Sequence, residues 1–321
     1  MTARLGGTAL PGKRARALER AKRLEWISLG YLATCVVIVY LVMGNSQAMK
    51  VAWIEDLLSL IPPIAFLLAI RHARKKADRI HPYGHHRAAA SGHLASAVAL
   101  LAMGVFLVLD SGSGLLAGEH PTIGTMRILG HTVWAGWPMI AAMVYTGVGP
   151  VILGRLKLPL SEALHDKVLY ADAEMNKADW QTAGAAIVGV LGIGIGLWWA
   201  DSAAALLIAV SILKDGVSGV RAAIRDLADT RVRTHDDSEP HPLIAQAEEV
   251  LRGQTWVAEG AVRIRDLGHV FHAEAFVVPH RPRRVDVALL EEAREALEGL
   301  DWKMADVVVI PVREIPRALR G

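Results

Sequence analysis

Six stretches of about twenty predominantly apolar residues punctuate the sequence between positions 26 and 224, and each has the length a helix needs to cross the hydrocarbon core of a bilayer. They run over Trp26–Met43, Ala48–Ile70, Ala88–Leu109, Thr132–Leu153, Tyr170–Leu197 and Ser202–Ile224. A backbone in lipid must satisfy its own polar groups, so such runs predict helices and not irregular chain. With 53% hydrophobic residues and a mean hydropathy of +0.32, the chain is too apolar for its surface to face only water. The arginine-rich segment before Trp26 is long and no small-residue cleavage site follows the first run, so that run reads as a retained span and not a removed signal.

Lysine and arginine set the orientation. Lys13, Arg14, Arg16, Arg20, Lys22 and Arg23 precede the first span, and Arg71, Arg74, Lys75, Lys76, Arg79 and Arg87 separate the second from the third. Arg155, Lys157 and Lys167 fall between the fourth and fifth; Arg221, Arg225, Arg231 and Arg233 end or follow the sixth. The alternate loops hold almost none, which places both termini in the cytoplasm of a cell whose inner membrane carries the chain. The net charge of +3 is explained by this topology and not by nucleic-acid binding. A single cysteine, Cys35, excludes an intrachain disulfide framework and a thiolate zinc-finger site.

The sequence changes character near residue 236. His241–Arg252 and Val285–Leu300 have helical spacing, while Ala261–Arg265, His272–Val278 and Asp306–Val312 read as strands. The order αββαβ predicts a two-layer α+β domain with antiparallel neighbouring strands. The expected organisation is a basic segment over 1–24, an all-α domain of six transmembrane helices over 25–230, a cytoplasmic α+β domain over 236–312, and a tail over 313–321.

Ionisable groups inside a span cost about 2.5 to 3.5 kcal/mol each on insertion scales, which makes them functional candidates. Glu55 and Asp56 lie in the second span; Asp172, Glu174 and Asp179 lie in the fifth. One helical turn separates Glu55 from Ser59, and another separates Met175 from Asp179, so each pair projects from one face. Two such faces brought together make a four-point site of oxygen and thioether donors for a divalent cation. Ser59 and Met175 read more readily as packing residues than as ligands, whereas unpaired acids so deep have no inexpensive structural role. Asp56 lies about 100° around the helix from Glu55 and is held in reserve. Lys214 and Asp215 read as a structural ion pair in the sixth span.

Asp78, His81, His85 and His86 crowd the loop after the second span. Spacing alone leaves two readings open, a shared metal or solvated side chains beside a basic interface. Gly192-Ile193-Gly194-Ile195-Gly196 lacks the strand and acidic partner of a dinucleotide motif, and reads as close helix packing through Gly192 and Gly196. No nucleophile–base pair or phosphate loop points to an enzyme.

The stretch Ala77-Asp78-Arg79-Ile80-His81-Pro82-Tyr83-Gly84-His85-His86-Arg87 resembles the loop signature of the cation diffusion facilitator family. Ala171-Asp172-Ala173, Asp179, Ala200-Asp201-Ser202, Asp226 and Asp229 extend the likeness over residues 25 to 312. The resemblance implies six helices with a ferredoxin-like αββαβ tail, and a homodimer, or a heterodimer with a related chain. It further implies export of zinc, manganese, iron, cobalt or a related divalent ion in exchange for protons. It puts the transport site at Glu55, Ser59, Met175 and Asp179, and a loop metal site at Asp78, His81 and His85. Three of the four transport positions depart from the usual aspartate or histidine; Asp179 alone is the usual residue. Because Met175 cannot titrate, proton coupling falls to Glu55 and Asp179. The alternative reading is a transport-inactive, metal-sensing or regulatory partner that keeps the scaffold. In the tail, the positions where relatives bind metal hold Val262, Ala275 and Ile310, so no metal site of the usual kind is expected there.

Overall fold

A computed structural model of the chain describes residues 12–73, 79–80, 88–118, 122–128, 130–236, 238–268, 270–281, 285–304 and 306–320. Seven helical segments build the larger part: α1 Gly12–Val42, α2 Gln47–Leu58, α3 Ile61–Ala73, α4 Ala88–Leu116, α5 Gly136–Leu164, α6 Lys167–Gly194 and α7 Ala200–Leu227. A hairpin of β1 Thr125–Ile128 and β2 His131–Trp134 precedes α5. Among the described residues, five helical stretches are long and apolar enough to cross a membrane: α1, α2 with α3 to Leu68, α4 from Ala97, α5 and α7. Their outward faces carry large apolar side chains such as Leu41, Leu68, Leu109, Ile152 and Leu207, as lipid contact requires. α6 is also long, but Lys167, Asp172, Glu174, Lys177 and Asp179 lower its hydropathy.

Several expected boundaries move. The span expected over Ala48–Ile70 is broken at Ser59-Leu60, because Pro62 and Pro63 have no N–H to donate to Leu58 O and Ser59 O and so cannot continue α2. The fourth stretch begins at Gly136 and not at Thr132, since Thr132–Trp134 pairs with β1. It also runs on to Leu164, so Lys157, expected in a loop, is a helical residue and is fully buried.

Small residues set the helix spacing. A Cβ on Gly216 of α7 would meet Leu101 Cα of α4 at 2.6 Å, so these two helices pack backbone to backbone. Gly192 does pack closely, against Ala200, but Gly196 has φ +88° and turns the chain after α6; its role is conformational and not the packing expected.

The C-terminal part is α8 Leu243–Arg252, β3 Val257–Asp266, β4 Phe271–Pro279, α9 Val287–Glu298 and β5 Asp306–Pro311. β3 and β4 form the expected antiparallel pair, but β5 joins the outer edge of β4 in parallel, so one of the two neighbour pairs is not antiparallel. The connection through α9 is a crossover, which returns the chain to the starting end of β4 and requires this direction. Alternate residues Phe271, Ala273, Ala275 and Val277 of β4 pack with Leu243, Ala247, Leu251 and Leu297 of the helices. The opposite face, with Phe276 and Ala261, is covered by Ile315 and Leu319 from the final segment.

Candidate metal centre

α2 is fixed at its N-terminus by Ser46, whose Oγ accepts from Met49 N, and by Asp201 of α7. The Asp201 carboxylate accepts from Ser46 Oγ at 2.6 Å, Gln47 N at 2.5 Å and Ala48 N at 3.3 Å. It therefore caps a helix 153 to 155 residues away in sequence, satisfying orphan N–H groups and meeting the positive helix end. With that end pinned, Glu55 and Asp56 are carried two turns down into the bundle.

Glu55 Oε1 accepts a hydrogen bond of 3.0 Å from Thr182 Oγ1 on α6. Glu55 Oε2 and Asp56 Oδ2 are both buried with no hydrogen-bond partner among the described residues. Asp179 of α6 lies within electrostatic range of both acids, one helical turn before Thr182, the residue that donates to Glu55. The Cys35 thiol of α1 is in range of Asp56 and Asp179 as well. No lysine or arginine among the described residues forms a salt bridge with Glu55, Asp56 or Asp179. The carboxylates are near but not converged: no group of three or more His, Cys, Asp or Glu among the described residues is close enough to hold one ion.

Ser59 is buried at the end of α2, where its N–H closes onto Glu55 O at 2.8 Å. The carbonyls of Leu58 and Ser59 accept no backbone N–H among the described residues, since prolines occupy the positions that would supply it. Met175 faces a cavity of about 550 Å³ together with Leu58, Ile61 and Pro62 of the broken helix. Asp215 lines the same space and forms no salt bridge with Lys214 among the described residues, contrary to the expected ion pair; Glu174, Asp226, His235 and Asp236 line it too. The cavity thus runs from the helix break toward the C-terminal domain, and its wall mixes these acids with Lys167 and Arg225, Lys167 pairing with Asp226 at 2.8 Å, which leaves acids in excess.

Asp172, a second buried acid of α6, has a different fate. Lys157 of α5 donates to it and to Glu25 Oε2 of α1 at 3.0 Å. Sequence reasoning missed Glu25, Lys157 and Thr182: the first two are 132 residues apart, and Thr182 has only its one-turn offset from Asp179 to mark it. Asp78, His81 and His85 lie outside the described residues. Val262 and Ala275 are register partners across β3 and β4 and fill the core, while Ile310 packs on the opposite sheet face.

Residues 26–228 match the family profile described as the cation efflux transmembrane domain. The chain is 24% identical over 270 residues to the uncharacterized transporter YdbO of Bacillus subtilis, covering 81% of this chain and 86% of that protein. It is 24% identical over 233 residues to the manganese efflux system protein MneS of the same organism, covering 73% and 74%. It is 25% identical over 305 residues to the cation-efflux pump FieF of Pectobacterium atrosepticum, covering 90% and 94%.

Proposed function

From the premise that this chain belongs to the cation efflux family of transporters, which are not enzymes, we propose that it exports a divalent metal cation across the inner membrane in exchange for protons. In this reading α6 also crosses the membrane, as the fifth of six spans, with Asp172 and Asp179 facing the bundle, and both termini are cytoplasmic. The observation that carries the proposal is the pair of unpartnered buried oxygens, Glu55 Oε2 and Asp56 Oδ2, with Asp179 in electrostatic range of both. A cluster of acids with no resident cation is stabilised only by protons or by a positively charged guest.

The site comprises Glu55, Ser59 and Asp179, with Met175 at its cytoplasmic edge and Asp56 supplying a further oxygen. Carbonyls freed at Leu58 and Ser59 add neutral oxygen donors at the same depth, as broken helices do in other transporters. Such an oxygen-rich set without imidazole fits a harder ion, and manganese(II) is the first candidate. The ion enters from the cytoplasmic cavity, displaces protons from the acids, and leaves on the far side as protons return. The loop residues Asp78, His81 and His85 form a second, cytoplasmic metal site, and the working unit is a dimer.

Purified chain reconstituted alone in vesicles tests this. Manganese uptake driven by a pH gradient is expected from the wild type and should fall at least tenfold in Glu55→Gln and in Asp179→Asn. Uptake unchanged in both variants removes the site; no uptake of manganese, zinc, iron or cobalt by the wild type removes the transporter in favour of a silent partner.

A further inference from the structure

Buried between α1, α5 and α6 is a second group of ionisable side chains that the metal site does not use. Lys157 Nζ donates to Glu25 Oε2 at 3.0 Å and to Asp172 Oδ2, and Asn176 Nδ2 donates to the same Asp172 oxygen at 3.2 Å. The side chains of Lys157, Glu25 and Asp172 are 0%, 0% and 2% exposed. A Cβ on Gly154 of α5 would lie 2.6 Å from Ala173 O, so α5 and α6 are in backbone contact beside the group and leave little room for water between them.

The charges do not balance. Two carboxylates face one ammonium, and the fully ionised group keeps one uncompensated negative charge in a dry site. A neutral lysine makes the imbalance worse. The two carboxyl groups are also within hydrogen-bond range of each other, a contact that two carboxylates repel and one carboxyl with one carboxylate forms readily. Asp172 Oδ2 receives donors from both Lys157 and Asn176 and is therefore the ionised member. Glu25 Oε1 is buried with no partner, as is Ser28 Oγ one turn further along α1.

We propose that Glu25, Lys157 and Asp172 form a proton-binding site distinct from the metal acids, which holds one proton between its carboxyls while the metal site is empty and gives it up to the cytoplasm when a divalent ion binds. The site rests on the transporter reading for its role but not for its existence. Asp172 and Asp179 are seven residues apart on α6, about 10 Å along the axis, with Asn176 between them. At that separation in low dielectric, two added positive charges at Asp179 and Glu55 act strongly on the proton. The fields of Asp172 and Lys157 reach Asp179 across the same distance. Glu55 and Asp56 on α2 are the remaining charges turned toward it. A separate proton site would let a transport site without imidazole remain proton-coupled.

The test counts protons. Manganese(II) is titrated into the full-length protein in weak buffer with a pH indicator, for the wild type, Glu25→Gln and Asp172→Asn. Each variant leaves one acid for one lysine, so each should still bind manganese and release about one proton fewer per ion than the wild type. An unchanged count in a variant that still melts cooperatively overturns the proposal, and either variant suffices. Infrared spectra of the metal-free protein give an answer independent of transport: the protonated-carboxyl band should lose intensity in both variants. Equal bands overturn the proton site even if manganese is exported. Conversely, a wild type that binds no metal but loses the band in Glu25→Gln retains the proton site and discards the transporter reading.

Discussion

One hydroxyl determines how Glu55 is presented to the cleft. Thr182 holds Oε1 and thereby leaves Oε2 as the free donor. Hydrogen bonds to charged groups contribute about 1.5 to 3 kcal/mol, and part of this returns when the side chain relaxes. Thr182→Val is therefore expected to raise the manganese Kd about tenfold, near 1.4 kcal/mol, with Thr182→Ser close to wild type. Calorimetric titration measures both, and an unchanged Kd in the valine variant assigns Thr182 to packing. The acids themselves were legible in the sequence because charge inside an apolar run stands out. Their partners were not, because a threonine on α6, or a lysine that continues α5 beyond its apolar stretch, looks ordinary until tertiary packing assigns it a neighbour.

Hydropathy located the helices well, since length and apolarity are what lipid selects. It missed how they end, because capping groups and proline chemistry contribute little to a hydropathy average. Asp201 is the clearest case: a buried carboxylate on α7 whose three acceptor contacts all serve the start of α2. Asp201→Ala should destabilise the protein by about 1 to 2 kcal/mol, read as a lower melting temperature in detergent, without altering the acids at the site. The break after Leu58 makes the opposite prediction. Pro62→Ala with Pro63→Ala restores two N–H donors and lets α2 and α3 fuse. The double variant should melt at a higher temperature and transport more slowly, because the carbonyls of Leu58 and Ser59 return to the helix. Faster or equal transport shows that these carbonyls play no part in holding the ion.

At the scale of the whole molecule, the contact between the two parts was invisible in the sequence, since each of its residues reads as an ordinary polar group. Arg14 of α1 lies 3.8 Å from Asp301 and over the Trp302 ring, and fully buried Lys303 donates to His165 O at 2.6 Å. His241, just before α8, accepts from Leu243 N through Nδ1 at 3.2 Å, and its Nε2 lies 3.3 Å from His165 Nδ1. This network assigns the proton of neutral His241 to Nε2, so acid adds its proton on Nδ1, where the Leu243 amide already points. Burial, with His165 and Lys303 beside it, lowers the His241 pKa from 6.5 to about 4. The unfolded chain then binds more protons than the folded one between those values, so this residue costs nothing above pH 6.5 and removes stability as the pH falls from 6.5 toward 4. His272 has the opposite sign: its hydrogen bond to Asp306 at 2.5 Å raises its pKa, and the stability it contributes is present at low pH and lost as the pH rises through that raised value. The two effects separate by mutation. His241→Asn keeps an acceptor for Leu243 N but cannot titrate, so the loss of melting temperature between pH 7 and pH 5 should shrink, and the Leu243 amide should keep its protection from hydrogen exchange in acid. If the variant loses stability as steeply as the wild type, the acid sensitivity arises elsewhere than at this contact.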